Sequence, residues 1–487
     1  MQRILCGCVL GCWVVSAPLT GWSQATMPVP DTGQTTCYNA SGNIIACPSP
    51  GEPFHGQDGN YTINAPSYTD LGNGVVRDNV TGLHWEVKTS KDSVPNYDDP
   101  RDADNTYTWC DTNPATNGGN QGNCGDHDTM DFIAALNTAR HGDFDDWRMP
   151  TVQELLSIAD YGRYNPAINV SFFPNMVAYH YYWSSTSDVY DPAYAWVMNN
   201  GYGNDDKGNK SGGLYVLAVR GEQPSVDNRY IDNGDGTVTD TVTRLMWQQE
   251  TAPVTMTWEQ ALAYGETSTL GGYSDWRLPS VKELFSLVDR TQLDPSISTT
   301  FFPDTAASYY WSSTSGFSDP NGAWNVSFKW GFGGIYQKSN IYYVRLVRGP
   351  HSIIVSPTSG LTTTEAGGTA TFTLVLSTPP TADVTIDLSS SDPGEGTVSP
   401  TSVTFTPVDW NVPQTVTVTG VDDGTADGDT AYTIVTAPAV SADANYNGID
   451  PPDVSVTNTD EGVPTNTSPV FFPVRGQDGK TGIIFID

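Results

Sequence analysis

Asp146-Trp147-Arg148-Met149-Pro150-Thr151-Val152-Gln153-Glu154-Leu155 returns as Asp275-Trp276-Arg277-Leu278-Pro279-Ser280-Val281-Lys282-Glu283-Leu284. The echo continues in order. Phe172-Phe173-Pro174 recurs as Phe301-Phe302-Pro303, and Tyr182 to Ser187 recurs as Tyr310 to Ser315. Ala195-Trp196 recurs as Ala323-Trp324, and Val219-Arg220-Gly221 as Val347-Arg348-Gly349. A shared opening, Tyr68 to Trp85 and Tyr230 to Trp247, precedes both copies. One large module has been duplicated in tandem.

Each copy opens on a strand–turn–strand pattern. Asn233-Gly234-Asp235-Gly236 is the turn signal in the second copy, with Val238, Leu245 and Trp247 at strand-like apolar positions. A helix is expected next, with Trp258, Ala261, Leu262 and Gly265 on its apolar face in the second copy. Phe132, Ala135, Leu136 and Ala139 take that place in the first. In the Trp-Arg-x-Pro segment the proline marks the first helical position, with Thr151 or Ser280 near the cap. Glu154 and Glu283, three residues on, complete a capping-box spacing. Leu155, Ile158 and Ala159 form a short apolar face, matched by Leu284, Leu287 and Val288. The rest of each module reads as short strands rich in Tyr, Trp, Val and Gly, so each module is expected to be α+β.

The 487 residues suggest about three domains. Residues 1–25 read as a secretory signal: Arg3, an apolar run from Ile4 to Leu19, and Ser23-Gln24-Ala25 as cleavage site. Val9-Leu10-Gly11-Cys12 is a weaker lipobox alternative, because the apolar run continues past Cys12. No other apolar run approaches the ~20 residues of a membrane span. The mature chain is therefore expected in the periplasm, at the cell surface or outside the cell. Cys37, Cys47, Cys110 and Cys124 remain after cleavage, and local spacing suggests Cys37–Cys47 and Cys110–Cys124 as disulfides. The other two pairings stay open at this level. A zinc site at Cys110 and Cys124 lacks partners, since His127 and His141 are too few and scattered. With 55 acidic and 22 basic residues, the formal charge of −33 argues against nucleic acid or an anionic membrane as partner.

Residues 26–66 read as an extended, disulfide-pinned leader, 67–222 and 228–350 as the two modules, 351–460 as a sandwich, and 461–487 as a linker with a terminal strand. In the sandwich, Thr369 to Leu376, Val384 to Leu388, Ser402 to Thr406 and Gln414 to Thr419 alternate like strands.

At Trp-Arg-x-Pro-x-x-x-Glu-Leu, Tyr-Trp-Ser-Ser-Thr and Tyr-Val-x-x-Val-Arg-Gly, both modules resemble the Lcl carboxy-terminal domain family of exported bacterial proteins. The closing Tyr343 to Gly349 and the Trp-rich core resemble, more loosely, the C-type-lectin-like and formylglycine-generating-enzyme-like fold. The first resemblance implies attachment to surface glycans such as sulfated polysaccharides, although the acidic balance opposes an anionic ligand. Glu365 to Phe372 and Val421 to Asp429 are similar to Calx-beta sandwiches of bacterial surface proteins. The fold class expected is multidomain: two α+β C-type-lectin-like modules in tandem plus an all-β Ig-like or Calx-beta-like sandwich.

Calcium is the cofactor this implies, with Glu365, Asp422, Asp423, Asp427 and Asp429 as ligands. Several short carboxylates in adjoining loops can supply its six to eight oxygens. A solvated acidic turn is the plainer alternative. An EF-hand at Asp232 to Gly236 fails, since Gly234 stands where Asp or Asn is needed. Tyr202, Trp330, Phe332 and Tyr336 are the glycan-stacking candidates, against plain packing of Gly-rich hairpins. Trp147, Arg148, Glu154, Trp276, Arg277 and Glu283 are read as fold-defining rather than functional. No catalytic motif appears, and a hydrolase using Glu154 and Glu283 is the less favoured reading because capping already explains both. The expected function is a non-catalytic adhesin for glycans or other surface ligands. The rival is a structural or self-associating envelope component, so a homo-oligomer is kept as a possible assembly.

Overall fold

The closing Val-Arg-Gly of each repeat comes back to its opening. Val219 pairs with Trp85 and Val347 with Trp247, so each repeat is sewn shut as a four-stranded antiparallel sheet. The computed structural model describes residues 27–460 except 225–227, 350, 352, 378–379, 381, 411, 425–427 and 444–445, and the backbone of a hairpin pairing Phe472–Arg475 with Thr481–Ile484. The expected signal segment and the alternative Cys12 lie outside the described residues.

In the first repeat the sheet joins Tyr68–Asp70, Val75–Asp78, His84–Glu86 and Val219–Arg220. In the second it joins Tyr230–Asp232, Thr237–Asp240, Met246–Gln248 and Val347–Arg348. Asp232 to Gly236 is a hairpin turn, with Asp232 opposite Val238. A three-stranded meander follows in each: Tyr181–Ser187, Tyr194–Asn199 and Asn204–Asn209, then Tyr309–Ser315, Gly322–Ser327 and Gly333–Gln337.

Among the described residues four α-helices accompany these sheets: α1 (Thr129–Thr138), α2 (Val152–Ser157), α3 (Trp258–Thr267) and α4 (Val281–Ser286). The first and third have ten residues, the others six. This corrects the expected fold class. The chain is mostly β, in many small sheets, and the repeats are not two α+β C-type-lectin-like modules. The reason is local. After six residues α2 and α4 give way to a return of the chain, through Asp160 N–H to Ala167 O and Asp289 N–H to Ser296 O. The helical register of the first repeat is also corrected: α1 buries Thr129, Phe132 and Leu136, while Ala135 and Ala139 are exposed.

Both short helices carry the expected capping boxes, on Thr151 with Glu154 and on Ser280 with Glu283. Pro150 and Pro279 stand one residue before the cap, not at the first helical position. Leu155, Ile158, Ala159, Leu284, Leu287 and Val288 are all buried.

The repeats are not beads on a string. α2 packs against α4, and one core runs through both repeats, holding Trp85, Leu155 and Tyr182 from one with Trp247, Leu284 and Tyr310 from the other. The seam is pseudosymmetric. Tyr161 sits edge-on to Trp324 of the other repeat at 5.2 Å, and Arg290 lies 3.8 Å over Trp196, the counterpart of Trp324. Residues 27–64 form a strap across this pair. Met27 N–H donates to Val242 O, Gln34 exchanges hydrogen bonds with the Ser315 backbone, and Asp58 accepts from the Thr32 and Thr314 hydroxyls. Lys282 Nζ reaches the Asp31 and Ser157 carbonyls, tying strap, first repeat and second repeat at one ammonium.

The all-β expectation for the sandwich holds. One sheet orders Ile353–Ser356, Thr369–Leu376, Gln414–Gly420 and Gly396–Ser399. The other orders Leu361–Thr364, Val454–Thr459, Thr430–Thr436, Val384–Ser390 and Ser402–Phe405, with Val440–Ser441 beside Val384–Ser390. Alternate residues such as Phe372, Leu374, Val416 and Val418 fill the space between. His351 joins the sandwich to the second repeat, 3.0 Å from an Asp275 oxygen and edge-on to Tyr446.

Candidate functional site

The most conspicuous repeated residues are consumed by one another. Arg148 grips Glu154 with two hydrogen bonds of 2.9 and 2.6 Å and donates to Gly221 O. Arg277 does the same to Glu283 at 2.7 and 2.6 Å and to Gly349 O. Arg220 pairs with Asp146, and Arg348 with Asp275. Each Trp-Arg-x-Pro helix start is thereby bolted to the closing Val-Arg-Gly strand. Trp147 and Trp276 are buried, their indole N–H groups donating to His141 O and Leu270 O. With one oxygen on the cap and both on an arginine, Glu154 and Glu283 have the surroundings of structural carboxylates.

The four aromatic candidates fall in four places. Tyr202 and Trp330 are counterparts, each three residues past the end of the middle meander strand. Tyr202 clusters with Tyr164 and Tyr179, and the three are 38%, 37% and 46% exposed. Phe317 of the other repeat lines the same small recess as Tyr164 and Tyr202. Trp330 meets Tyr190 of the first repeat edge-on at 5.6 Å, and the Lys329 ammonium lies 5.0 Å from its ring. Each aromatic tip thus faces the opposite repeat. Phe332 instead packs against the shared core. Tyr336 is half-buried among Tyr309 and Tyr342, where a hydrogen bond with Tyr309 and burial push its hydroxyl up to about 12.

The two copies differ most between Trp85 and the N-cap Asp128, a stretch far longer than that from Trp247 to the N-cap Thr257. Trp258 begins α3, and its indole donates to Ser312 O under the Lys338 ammonium. In the first repeat Trp109 fills that slot, donating to Ser184 O under Lys210. The chain then loops out, is closed by Cys110–Cys124, and returns so that Asp128 caps α1. Both expected disulfides are formed, Cys37–Cys47 covering the equivalent side of the second repeat near Tyr38 and Lys338. Between this insertion and α1 lies a surface cleft of about 420 Å³, lined by Tyr97, Tyr107, Asp126, His127, Asp131 and Phe132 among others. Sequence reading missed it, although the signal was there: four rings around the length difference between copies. The one His/Cys/Asp/Glu group close enough to share a metal among the described residues is Cys110, Cys124 and Asp128, and its cysteines are spent in the disulfide.

At one end of the sandwich, burial and the charges of Asp460, Asp422 and Asp423, in that order, raise the Glu365 carboxyl. Three of the five expected calcium ligands, with the unanticipated Asp460, are therefore close enough to feel one another's charge, but no three of their carboxylates come within 4.8 Å of one another. Asp460 accepts from Gly428 N–H at 3.0 Å. No described contact brings Asp429 into the group, and Asp427 lies outside the described residues.

Comparison with known proteins gives one family. A profile described as the Lcl C-terminal domain matches residues 74–220 and 236–348. No curated protein matches the chain. Among solved structures, the periplasmic chaperone SfaE is similar at 10% identity and a TM-score of 0.19, over 26% of this chain and 67% of its own. The apo Calx CBD1 domain is similar at 14% identity and a TM-score of 0.19, over 23% of this chain and 97% of its own. At such scores these likenesses carry nothing about function.

Proposed function

Because the chain belongs to the Lcl C-terminal domain family across both repeats, we propose that it is an exported, non-catalytic recognition protein that binds glycans. The observation that carries this reading is the exposed tyrosine group Tyr164, Tyr179 and Tyr202 with its counterpart Trp330 and Tyr190. Rings held by each other rather than by the core offer flat faces for the apolar side of a sugar. Two such tips on repeats that share one core give two contacts per chain, which strengthens attachment to a multivalent surface. The two disulfides are compatible with export, and no described helix is long and apolar enough to cross a membrane.

Calcium belongs to the same proposal. Glu365, Asp460 and the adjacent Asp422 and Asp423 offer hard oxygen donors, the chemistry the ion prefers, and binding would have to draw them together. It would neutralise their mutual repulsion and stiffen the end of the sandwich.

The test is a glycan array with the intact chain, alongside Tyr202→Ala and Trp330→Ala. Binding to a defined glycan set, weakened by both variants without a change in melting temperature, supports the reading. A flat array accompanied by self-association in sedimentation would overturn it in favour of a structural, self-assembling role.

A further inference from the structure

The cleft beside α1 has chemistry that the tyrosine tips lack. Four rings line it in sequence. Tyr97 and His127 stack at 3.7 Å between centroids with planes 17° apart, Tyr97 meets Tyr107 edge-on, and Tyr107 meets Phe132. His127 has φ of 64°, in the left-handed region where histidine, like asparagine and aspartate, is enriched among non-glycine residues. That backbone carries its ring onto Tyr97.

Two carboxylates flank the rings. Asp131 belongs to the capping box of α1, one of its oxygens accepting from the His127 N–H at 3.1 Å. Asp126 is exposed and takes no hydrogen bond or ion pair from any described residue. No lysine or arginine lines the cleft. Lys88 approaches Phe132, with its ammonium 4.6 Å from the ring, but it is buried and paired with Glu86 at 2.7 Å. The cleft is therefore an aromatic floor with a negative rim, in a chain whose formal charge is −33. Its volume of about 420 Å³ lies in the roughly 300–1,000 Å³ range of small-ligand sites.

We propose that this cleft binds an amino sugar, its apolar ring face on the Tyr97–His127 stack and its ammonium beside the Asp126 carboxylate. An amino sugar supplies both halves of what the cleft offers: C–H groups for the rings, and a cation for a carboxylate that has no partner among the described residues. A sulfated sugar would bring its charge against Asp126 and Asp131 with no basic residue to receive it. The site belongs to the first repeat alone, because the second has no counterpart to the stretch that carries Tyr97 and Asp126. This inference rests on the glycan reading above.

The experiment is calorimetry of the intact chain in neutral buffer against three probes: a glucosamine tetrasaccharide, its N-acetylated counterpart and a heparin tetrasaccharide. The glucosamine oligomer is expected to bind about fivefold tighter than the N-acetylated one, the scale of one partly exposed ion pair. Asp126→Asn should erase that preference, Tyr97→Ala should weaken both neutral and cationic probes, and Tyr202→Ala should leave the preference intact. Melting temperatures of all three variants should match the parent. If the N-acetylated or the sulfated probe binds as tightly as the amine, or if Asp126→Asn changes nothing, the amino-sugar inference falls while the glycan reading stands. If none of the three probes binds and the glycan array is also flat, both fall.

Discussion

Asp205 of the first repeat accepts a hydrogen bond from the backbone N–H of Gly333 in the second at 2.9 Å, and these two positions are each other's counterparts. Each lies two residues beyond a left-handed glycine, Gly203 or Gly331. Two equivalent positions in direct contact mark the local axis of a twofold arrangement written into one chain. The duplication therefore built an internal dimer.

Asp205 also pairs with Arg290 at 2.6 Å, and both side chains are almost wholly buried. Burial pushes the Asp205 carboxyl up and the Arg290 guanidinium down, even though each opposes the other's shift. Breaking such a pair strands a buried charge. Asp205→Ala is expected to lower stability by about 3–5 kcal/mol. Urea unfolding should show tryptophans of both repeats melting in one shifted transition. Independent melting of the two repeats would contradict the shared core.

Asp58 lies under the strap between the Thr32 and Thr314 hydroxyls. Burial, and then the negative charge of Asp31, push its carboxyl up to about 7 against the two hydroxyl hydrogen bonds. The folded state then binds more protons than the unfolded state between about pH 4 and 7, so stability falls as pH rises through that window. Asp58→Asn keeps an acceptor for the hydroxyls and removes the titration. Its melting temperature should decline less across that window than that of the parent, the remainder coming from other carboxyls that burial raises, such as Asp31 and Asp205.

Asp275 has the opposite sign. Burial works to raise it, but hydrogen bonds from His351 and Arg348 prevail and hold it at about 2. Its contribution is present above about pH 4 and is lost as pH falls through 2. Asp275→Asn should flatten the acid limb of the unfolding curve and loosen the sandwich from the second repeat, read as faster proteolysis near residue 351.

Calcium should raise the melting temperature of the sandwich relative to EGTA, by a shift that grows with calcium concentration. Glu365→Gln and Asp422→Asn should each reduce the shift. Identical melting in both buffers would remove calcium from the account.

Where the sequence was legible, the interactions are short in range or repeated. The capping pairs Thr151–Glu154 and Ser280–Glu283 span three residues, and their spacing alone marks the helix starts. The disulfides close short loops. The sandwich strands show their alternation because one face meets the core and the other meets water. The seam left no such mark. Tyr161 and Arg290 occupy equivalent positions and both pack on a tryptophan of the opposite repeat, yet they share no chemistry. A contact across a pseudosymmetric interface has no period along the chain. The first-repeat helix misled for a related reason: Trp109, arriving from the insertion, takes the slot that Trp258 fills at the start of α3, so apolar residues no longer align copy to copy.

The strap has a consequence for how the protein is made. Gln34 is bonded to Ser315, 281 residues later, and Asp58 to Thr314, 256 later. During synthesis, or threading through any pore with the N-terminus leading, the strap waits for the first meander strand of the second repeat, Tyr309–Ser315. Until then the apolar seam of the first repeat has nothing to cover it. Contacts of such separation are slow to form, and the waiting surface is prone to aggregation. The same delay keeps the chain pliable while it is in transit, until Tyr309–Ser315 arrives and locks the strap down.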